Sequence, residues 1–459
     1  MTIIQQEIKH IEDQLPDYTP VRIIEVELGQ LLPTLTAFDE KKGRDYQRAR
    51  CLVRLHTQPL GIVDLTLNTE ELSPDEYAPK IWLALHLQIN EHLRQDGLPS
   101  VTMLTADGLP SLNMPRCIEE REQFLTNAPF VSVVVATRDR PEQLATCLSS
   151  LLALHYPQYE VIVVDNAPTS TVTADFIQQA YSDEPRIKYV RENRQGLSLA
   201  RNCGMKVARG EILAFTDDDV VVDSYWLVGL AKAFSNEDNA ACVTSLILPL
   251  ELETQAQIWF EEFGGFNKGF TRRTFGRASC YTDVPLYPFT AGRFGTGASM
   301  AFTAAFLRSV GGFDLALGAG TRTGGGEDLA AFFQVITKGY RLVYEPASLL
   351  YHVHRHDYVH LRKQIYNCGV GIIAYLTKIV FDDPILLFAL ISKVPYGLFF
   401  ILSSRSPKNS KKSRDYPKEL SAIERKGMFY GPFAYLLSRR ASGRVRKGSR
   451  THQTFCYER

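Results

Sequence analysis

The sequence has no surplus of charge: its 459 residues include 51 Lys or Arg and 51 Asp or Glu. This balance gives no reason to expect nucleic acid or another polyanion as a partner. The eight cysteines are scattered, with no CxxC pair and no zinc-ligand spacing, which favours small core residues in a reducing compartment. No secretory hydrophobic run occurs near residue 1, so we expect a cytoplasmic protein.

Two common phosphate-binding loops are also missing. No GxGxxG follows the first strand predicted in the central segment, and GxxxxGK[ST] occurs nowhere in the chain. A dinucleotide-binding protein and a P-loop NTPase are therefore both disfavoured.

The length predicts about two or three domains. We divide the chain into an N-terminal accessory α+β unit (1–125), a central catalytic unit (126–360) and a helical C-terminal region (361–459) that is first apolar and then basic. In the first unit, 49–55 and 60–67 are predicted to form two antiparallel strands, and 78–93 a helix. No catalytic constellation is visible in that unit.

The central unit alternates apolar runs with amphipathic segments. We predict four strands, at 131–136, 160–164, 187–190 and 212–215, separated by three helices. Further along the chain, a short strand is predicted at 342–344, leading into Pro346. Continuous apolar runs are typical of parallel strands that are covered on both faces. The pattern therefore predicts a doubly wound, mostly parallel α/β sheet.

Polar residues follow each of these strands, at the edge where such sheets bind ligands. In strand order they are Thr137 and Arg138, then Asp165, then 193–196, then Asp217, Asp218 and Asp219. The helix after Gly196 is expected to present its N-terminal amides and Arg201 to the same edge, as a site for a diphosphate.

The three adjacent aspartates repel one another, so their burial calls for a cation. The alternative is a solvated acidic turn or a helix N-cap. His352 and His354 are expected on one side of an extended segment, although a histidine pair is more often structural. Oxygen ligands with at most one imidazole suit Mn2+ or Mg2+ better than Zn2+. Asp218 is expected to point away, toward backbone amides.

A second acidic feature is the sequence GGGED at 324–328. Its three glycines would let the backbone approach a ligand, and Glu327 and Asp328 would start a helix. A carboxylate at that position can orient or deprotonate a hydroxyl, and the alternative is a simple N-cap.

In chain order, these motifs resemble those of the family 2 glycosyltransferases with the GT-A fold. The resemblance covers roughly 130–358 and is carried by VSVVVATRDRPEQL, VIVVDNA, ENRQGLSLARNCG, GEILAFTDDD, GTGASMAF, GGFD, GGGED and YHVHR. It implies inverting transfer of a sugar from a nucleotide-diphosphate donor, with UDP favoured, to an acceptor hydroxyl of a glycan or a lipid-linked molecule.

The resemblance also implies roles for individual residues. Asp328 matches the catalytic base, and Glu327 would bind the acceptor or the donor sugar. Asp217 and Asp219 match the ends of the DxD motif that holds the metal and nucleotide, and His352 matches a further metal contact. The remaining donor-binding positions are Thr137, Arg138, Asp165 (on the uracil), Arg201 (near the diphosphate) and Gly297.

The chain departs from the processive members of that family. They carry a QxxRW motif, whereas the comparable segment here, RKQIYNCGVG, has Gln364 but no Arg-Trp. We therefore expect transfer of a single sugar. Two alternatives are a nucleotidyltransferase, which would need glycines in TRDRPE, and a catalytically silent nucleotide-sugar sensor or scaffold.

The C-terminal region raises the question of membrane attachment. Residues 369–404 are apolar but interrupted by charges such as Lys378 and Lys393, and residues 405–459 contain 15 Lys or Arg against 4 Asp or Glu. We expect amphipathic helices on the cytoplasmic face of the inner membrane, with the basic tail on anionic lipid. The alternative is a helical subdomain packed on the catalytic unit.

Overall fold

The structure is a computed structural model, and it describes residues 18–67, 70–111, 113–277, 285–448 and 457–458. The N-terminal unit is a small sheet covered by a long helix. Its strands are β1 (Val21–Glu27), β2 (Leu35–Thr36), β3 (Phe38–Asp39), β4 (Arg44–Asp45), β5 (Arg48–Leu55), β6 (Gln58–Thr66) and β7 (Glu71–Leu72), and its helices are α1 (Pro74–Gln95) and α2 (Arg116–Leu125).

Strand β5 pairs parallel with β1 and antiparallel with β6, so the predicted hairpin is confirmed. Helix α1 begins at Pro74, directly after Ser73, whose amide donates to Glu76 Oε2 at 2.9 Å. Its buried residues recur every three or four positions, from Tyr77 to Leu93, and they pack on the sheet in one apolar core. Helix α1 is therefore held on the sheet by its apolar face.

The central unit contains nine strands and helices before residue 240, and further strands and helices follow up to residue 352. Its strands are β8 (Val131–Thr137), β9 (Tyr159–Asn166), β10 (Ile187–Glu192), β11 (Ile212–Asp217), β12 (Val220–Val222), β13 (Ala240–Pro249), β14 (Arg273–Phe275), β15 (Ser299–Thr303) and β16 (Arg341–His352). Its helices are α3 (Pro141–Leu152), α4 (Val172–Tyr181), α5 (Leu197–Val207), α6 (Trp226–Ser235), α7 (Gln255–Phe263), α8 (Ala304–Ser309) and α9 (Glu327–Thr337), with a 3-10 turn at Ala291–Arg293.

The four predicted strands, β8 to β11, are confirmed and lie parallel in the order β10-β9-β8-β11. Alternate residues of β8 enter different cores: Val133 and Val135 face α3 and α6, whereas Val134 faces α5. Gly204 lets α5 approach closely, because a Cβ there would lie 2.4 Å from Val134. Both faces are thus covered, which explains the continuous apolar runs.

The chain reverses its direction of travel across the sheet at β8. From β8 it proceeds to β9 and β10, and then returns to place β11 on the other side of β8. Ligands of open α/β sheets bind at such a switch point, beyond the carboxyl ends of the strands. Here that point lies between Thr137 and Asp217.

The sheet continues beyond β11 with strands that the sequence predicted only in part. Strand β15, from the segment GTGASMAF, pairs antiparallel with both β11 and β13. Strand β16 is much longer than the predicted 342–344: it passes Pro346 with a register shift and ends at His352. Because β12 pairs antiparallel with it, His352 lies opposite Val220.

The C-terminal region is formed by α10 (Tyr358–Asp382), α11 (Leu386–Leu402) and α12 (Lys418–Gly448), and β17 (Tyr457–Glu458) pairs with β10. Helices α10 and α12 cross closely, since a Cβ on Gly369 would lie 2.1 Å from the carbonyl oxygen of Glu424. Helix α10 has the length and apolarity of a membrane span, but 44% of its most apolar window is buried inside the protein. By contrast, α11 has no buried residue.

Candidate active site

The acidic stretch lies at the switch point of the sheet. Strand β11 ends at Asp217, and the chain turns through Asp218 and Asp219 into β12. The pairing of β12 with β16 brings His352 to the same place, so Asp217, Asp219 and His352 each offer a ligand atom within 4.8 Å of the others. Asp217 is the most accessible of the three, with 31% of its side chain exposed, compared with 8% for Asp219 and 6% for His352.

A chain of hydrogen bonds fixes the tautomer of His352. The Nδ1 atoms of His352 and His354 lie 3.2 Å apart, and His354 Nε2 lies 3.0 Å from Glu261 Oε1. If Nε2 of His354 donates to the Glu261 carboxylate, its Nδ1 accepts the proton of His352 Nδ1. That leaves the lone pair of His352 Nε2 directed toward Asp219 Oδ1, at 3.4 Å. His352 Nε2 and Asp219 Oδ1 would then both be electron-pair donors that face each other, an arrangement that suits a cation bound between them.

The pKa shifts in the cluster are also consistent with a bound cation. Burial raises the pKa of Asp217, and repulsion from Asp219 and Asp218 raises it further against the opposing effect of Arg201. Burial lowers the pKa of His352 to about 4, so its imidazole is neutral at physiological pH and can bind a metal. Ionised carboxylates with a neutral imidazole fit a hard divalent cation.

Two partly exposed arginines line the same edge. Arg355 Nη2 lies 3.4 Å from Asp219 Oδ2, and Arg140 Nη1 lies 3.8 Å from the same oxygen. Arg138, chosen from the sequence, lies 3.8 Å from its neighbour Asp139. Arg140 and Arg355 are therefore better placed beside the acidic cluster than Arg138.

Asp218 points away from the cluster, but the predicted contact with backbone amides is wrong. Its Oδ2 accepts from the Thr137 hydroxyl at 2.7 Å, and its Oδ1 accepts from Arg140 Nη1 at 3.3 Å. The reason is the parallel pairing of β8 and β11, which places the strand end at Thr137 directly beside this turn. The buried Thr137 hydroxyl thus holds the middle aspartate.

Arg201 connects the two acidic groups of the site. It is 2% exposed, and its Nη1 donates to Glu327 Oε1 at 2.8 Å, while its Nη2 lies 3.2 Å from Asp217 Oδ1. The same Nη2 donates to the carbonyl oxygen of Gly297 at 2.8 Å. A side chain at Gly297 would crowd this contact, because a Cβ would lie 3.1 Å from both terminal nitrogens of Arg201.

Helix α5 does not offer the open diphosphate site predicted at its N-terminus. The amide of Leu197 donates to the carbonyl oxygen of Ala319 at 2.9 Å, and the side-chain hydroxyl of Ser198 donates to the carbonyl oxygen of Leu317 at 2.8 Å. The segment 317–320 therefore packs over the start of the helix. Arg201 reaches the edge of the sheet at Asp217, but it is buried against carboxylates and not open to a ligand.

The two acids of α9 have different surroundings. Glu327 is buried, and burial together with repulsion from Asp328 raises its pKa against the effect of Arg201. Asp328 is partly exposed, and it accepts from the amide of Gly297 at 2.8 Å through Oδ2 and from the amide of Leu329 at 2.8 Å through Oδ1. Of the two, Asp328 has the accessible and oriented carboxylate.

The glycines before α9 have a packing role. Gly324 and Gly326 have φ of 63° and 93°, and a Cβ on Gly326 would lie 2.6 Å from the carbonyl oxygen of Gly371 on α10. A Cβ on Gly324 would lie 2.7 Å from Asn367 of the same helix. Close approach to α10 accounts for these glycines, and a Cβ on Gly325 would meet nothing within 4 Å.

Asp165 is fully buried at the end of β9. Its Oδ2 accepts from the Tyr189 hydroxyl at 2.8 Å, and its Oδ1 has no hydrogen-bond partner among the described residues. Burial raises the pKa of this carboxyl to about 6. A nucleotide base could contact it only after neighbouring side chains move.

Sequence reasoning missed several residues around the site. Arg140 could have been found, because it lies in the same TRDR motif as Arg138. Glu261 and Arg355 gave weaker signals: Arg355 follows the histidine pair, whereas Glu261 lies on α7, about 90 residues from His354. Only the tertiary fold shows that Glu261 contacts His354.

The fold and site define an α/β protein with an acidic, cation-type centre at the switch point of its sheet. The family model described as "Glycosyl transferase family 2" matches residues 132–282. This segment, which contains β8 to β14 and the three aspartates, is a family 2 glycosyltransferase domain. The predicted doubly wound, mostly parallel α/β sheet is confirmed by the strand order of β8 to β11.

Individual proteins are similar over parts of the chain. "O-antigen biosynthesis protein RfbC" of Myxococcus xanthus is 29% identical over 164 residues, which are 35% of this chain and 12% of that protein. "Pre-mycofactocin glycosyltransferase" of Mycobacterium tuberculosis is 26% identical over 225 residues, which are 49% of this chain and 43% of that protein. The chain thus spans less than half the length of these two relatives.

Among solved structures, the mannosyltransferase PcManGT from Pyrobaculum calidifontis in complex with GDP-Man and Mn2+ is similar to this chain. The match has 18% sequence identity and a TM-score of 0.42, and it covers 71% of this chain and 84% of the other.

Proposed function

We propose that this protein is a metal-dependent, inverting glycosyltransferase that moves one sugar from a nucleotide-diphosphate donor, with UDP favoured, to an acceptor hydroxyl in the synthesis of a cell-surface glycan or glycolipid. The observation that carries the proposal is the bridge formed by Arg201. Through it, the cation-type cluster around Asp217 and the acid pair at Glu327 and Asp328 form one site. Donor activation and proton transfer need such groups on either side of the sugar.

The donor diphosphate would bind at the accessible edge of the cluster. Asp217, Asp219 and His352 would hold Mn2+ or Mg2+, which would act as a Lewis acid on the leaving diphosphate. Arg140 and Arg355 are partly exposed and lie within 4 Å of Asp219, so they are the cations of this chain best placed to bind the phosphate oxygens.

Proton transfer is assigned to Asp328. The acceptor oxygen would attack the anomeric carbon from the face opposite the diphosphate, the bond from that carbon to the diphosphate would break, and Asp328 would take the hydroxyl proton. The amides of Gly297 and Leu329 orient its carboxylate. Glu327, whose Oε1 contacts Arg201, would position that arginine against Asp217.

The test of the base is the substitution Asp328→Asn. We expect transfer to fall by about 10^2-fold or more, since general base catalysis contributes roughly that much. Binding of a UDP-sugar in the presence of Mn2+, measured by calorimetry, should change little. Asp183→Asn, on an exposed turn, is the matched control and should keep full activity. Transfer by Asp328→Asn at near wild-type rate would show that the base is misassigned.

Attachment to the cytoplasmic face of a membrane is a further part of the proposal. Large apolar side chains of α11 are exposed, among them Phe388 (76%), Ile391 (57%) and Leu398 (53%). The segment that follows is basic, with Arg405, Lys411 and Lys412 in its first turns. An apolar helix beside a basic segment is suited to an anionic lipid surface.

Sedimentation with vesicles tests the attachment. Wild-type protein should sediment with vesicles of mixed phosphatidylglycerol and phosphatidylcholine, whereas Phe388→Glu should reduce the bound fraction severalfold. Leu87→Glu is the matched control, because Leu87 is also exposed (70%) but lies on α1 of the N-terminal unit. Equal binding by both variants would contradict attachment through α11.

A further inference from the structure

We propose that the N-terminal unit contains a structural zinc site formed by His56, His92, Asp96 and Cys117. Each of these four residues offers a ligand atom, and the four atoms all lie within 4.8 Å of one another. They come from three places in the fold: the tip of the β5-β6 hairpin, the end of α1 and the first turn of α2. The site is separate from the acidic cluster at the sheet edge.

The four ligand atoms converge on one point. Asp96 Oδ2 lies 2.6 Å from His56 Nδ1, 3.1 Å from His92 Nε2 and 3.1 Å from Cys117 Sγ, and the two ring nitrogens are 3.1 Å apart. Without a metal, one carboxylate oxygen is the shared hydrogen-bond acceptor for as many as three side chains. A cation at the centre would instead accept the lone pairs of all four groups.

The charges of the four groups balance a divalent ion. One carboxylate and one thiolate supply two negative charges, and two neutral imidazoles supply none, so a bound Zn2+ would leave the site neutral. Neutrality matters because His56 and Asp96 are each only 7% exposed, and an uncompensated charge there would be costly. Binding would release one proton to solvent, from the thiol of Cys117.

The ligand types select the metal. A thiolate with two imidazoles disfavours Mg2+, Ca2+ and Mn2+, which prefer oxygen, and four protein ligands with no open position are typical of a structural zinc site. Asp96 is set up to bind through one oxygen, because its Oδ1 already accepts from the amide of Cys117 at 2.9 Å. That contact also ties α2 to the end of α1.

Backbone geometry holds His56 in place. His56 and Thr57 form a two-residue hairpin loop with φ of 54° and 70°, a conformation that favours Asn and Gly over His and Thr. The Glu27 carboxylate stabilises the loop by accepting from the amides of His56 at 2.8 Å and Thr57 at 2.9 Å. A backbone conformation that costs free energy is thus maintained at the residue that supplies a ligand.

The cluster borders the contact between the N-terminal and central units. Arg121, on the same helix as Cys117, donates to the Thr57 hydroxyl at 2.6 Å and lies over the ring of Tyr225 at 4.0 Å. Arg54, just before the hairpin tip, pairs with Asp223 at 2.7 Å. A zinc ion that joins the hairpin, α1 and α2 would therefore stabilise the surface that faces the catalytic unit.

Metal analysis and cobalt spectroscopy of the full-length protein test the proposal. We expect about one zinc ion per chain to remain after dialysis into Mn2+ buffer. Replacement by Co2+ should give the visible bands of tetrahedral cobalt and a near-ultraviolet thiolate-to-cobalt charge-transfer band. Cys117→Ser should remove the charge-transfer band and weaken Zn2+ binding at least about tenfold.

Two variants serve as controls. Cys368→Ser removes a thiol on α10, and Asp219→Asn alters the other metal cluster, so both should keep the zinc and the charge-transfer band. If Cys117→Ser does not fold, the wild-type spectrum alone decides. Wild-type protein that binds no zinc and gives no charge-transfer band with Co2+ would overturn the proposal and leave a hydrogen-bonded His-Asp-Cys network.

Discussion

The two metal-type clusters of this molecule differ in ligand chemistry and in access. The cluster at the sheet edge has two carboxylates and one imidazole, and one of its carboxylates is partly exposed. The cluster in the N-terminal unit has four ligand residues of mixed N, O and S type and joins three elements. Sites that act on substrates keep positions free, whereas structural sites use them all. On this basis we propose a catalytic role for the first cluster and a structural role for the second.

Among the substitutions that distinguish the two clusters, Asp219→Asn is expected to have the largest effect on the rate of sugar transfer. Loss of this buried carboxylate should lower sugar transfer with Mn2+ by about 10^3-fold, which corresponds to about 4 kcal/mol of transition-state stabilisation. The unfolding midpoint should change little, because His352 and Asp217 remain. Transfer rates across a Mn2+ titration, together with thermal unfolding, measure both quantities.

The matched counterpart is Asp96→Asn, which should show the opposite pattern. We expect a lower unfolding midpoint that no longer depends on added zinc, with kcat of the remaining folded enzyme near that of wild type. If Asp96→Asn lowers kcat as strongly as Asp219→Asn, the division into a catalytic and a structural cluster is wrong.

The sequence predicted the sheet-edge cluster because its features are local. Asp217 to Asp219 directly follow an apolar run, and β8 to β11 are a regular alternation that predicts parallel strands. Strand β15 was not predicted, because an antiparallel strand inserted between β11 and β13 depends on pairing between distant segments. The length of β16 was missed because Pro346 is normally a sign that a strand ends.

The N-terminal cluster could not be predicted from the sequence. Its ligands lie at positions 56, 92, 96 and 117, and no known spacing of zinc ligands links them. Only His92 and Asp96 are close in sequence: His92 is in the last turn of α1, and Asp96 is the residue that follows the helix, four positions later. The other two are brought near by a hairpin loop and by the first turn of another helix, which depends on how the unit packs.

A smaller effect is expected from residues that do not bind the proposed catalytic metal themselves but hold one of its ligands in place. Glu261→Gln weakens the partner of His354 and, through it, the orientation of His352. We expect Mn2+ affinity to fall about tenfold, with transfer restored at saturating Mn2+, since outer partners typically change metal affinity 10- to 100-fold. Zinc content should not change.

Glu262→Gln is the matched control for that substitution, because the carboxylate of Glu262 accepts from Ser413 and does not contact a histidine. Its Mn2+ dependence should equal that of wild type. Equal Mn2+ affinity for both variants would show that His352 is held without the help of Glu261.

The smallest effect concerns a buried acid that neither cluster includes. Asp165 has a pKa raised to about 6, above the value of about 3.9 expected in the unfolded chain. The folded state therefore binds this proton more tightly, and stability is lost as the pH rises from about 4 to about 6. Above that range the full cost of the buried charge remains.

Asp165→Asn removes that cost while keeping an oxygen that can accept from Tyr189. At pH 7.5 we expect the variant to be more stable than wild type by about 1 kcal/mol, and at pH 4 the difference should vanish. Denaturant unfolding at the two pH values measures this. A loss of stability at pH 7.5 would contradict this prediction. It would mean that a cation or a hydrogen-bond donor compensates the charge of Asp165, as proposed for the carboxylates of the two clusters.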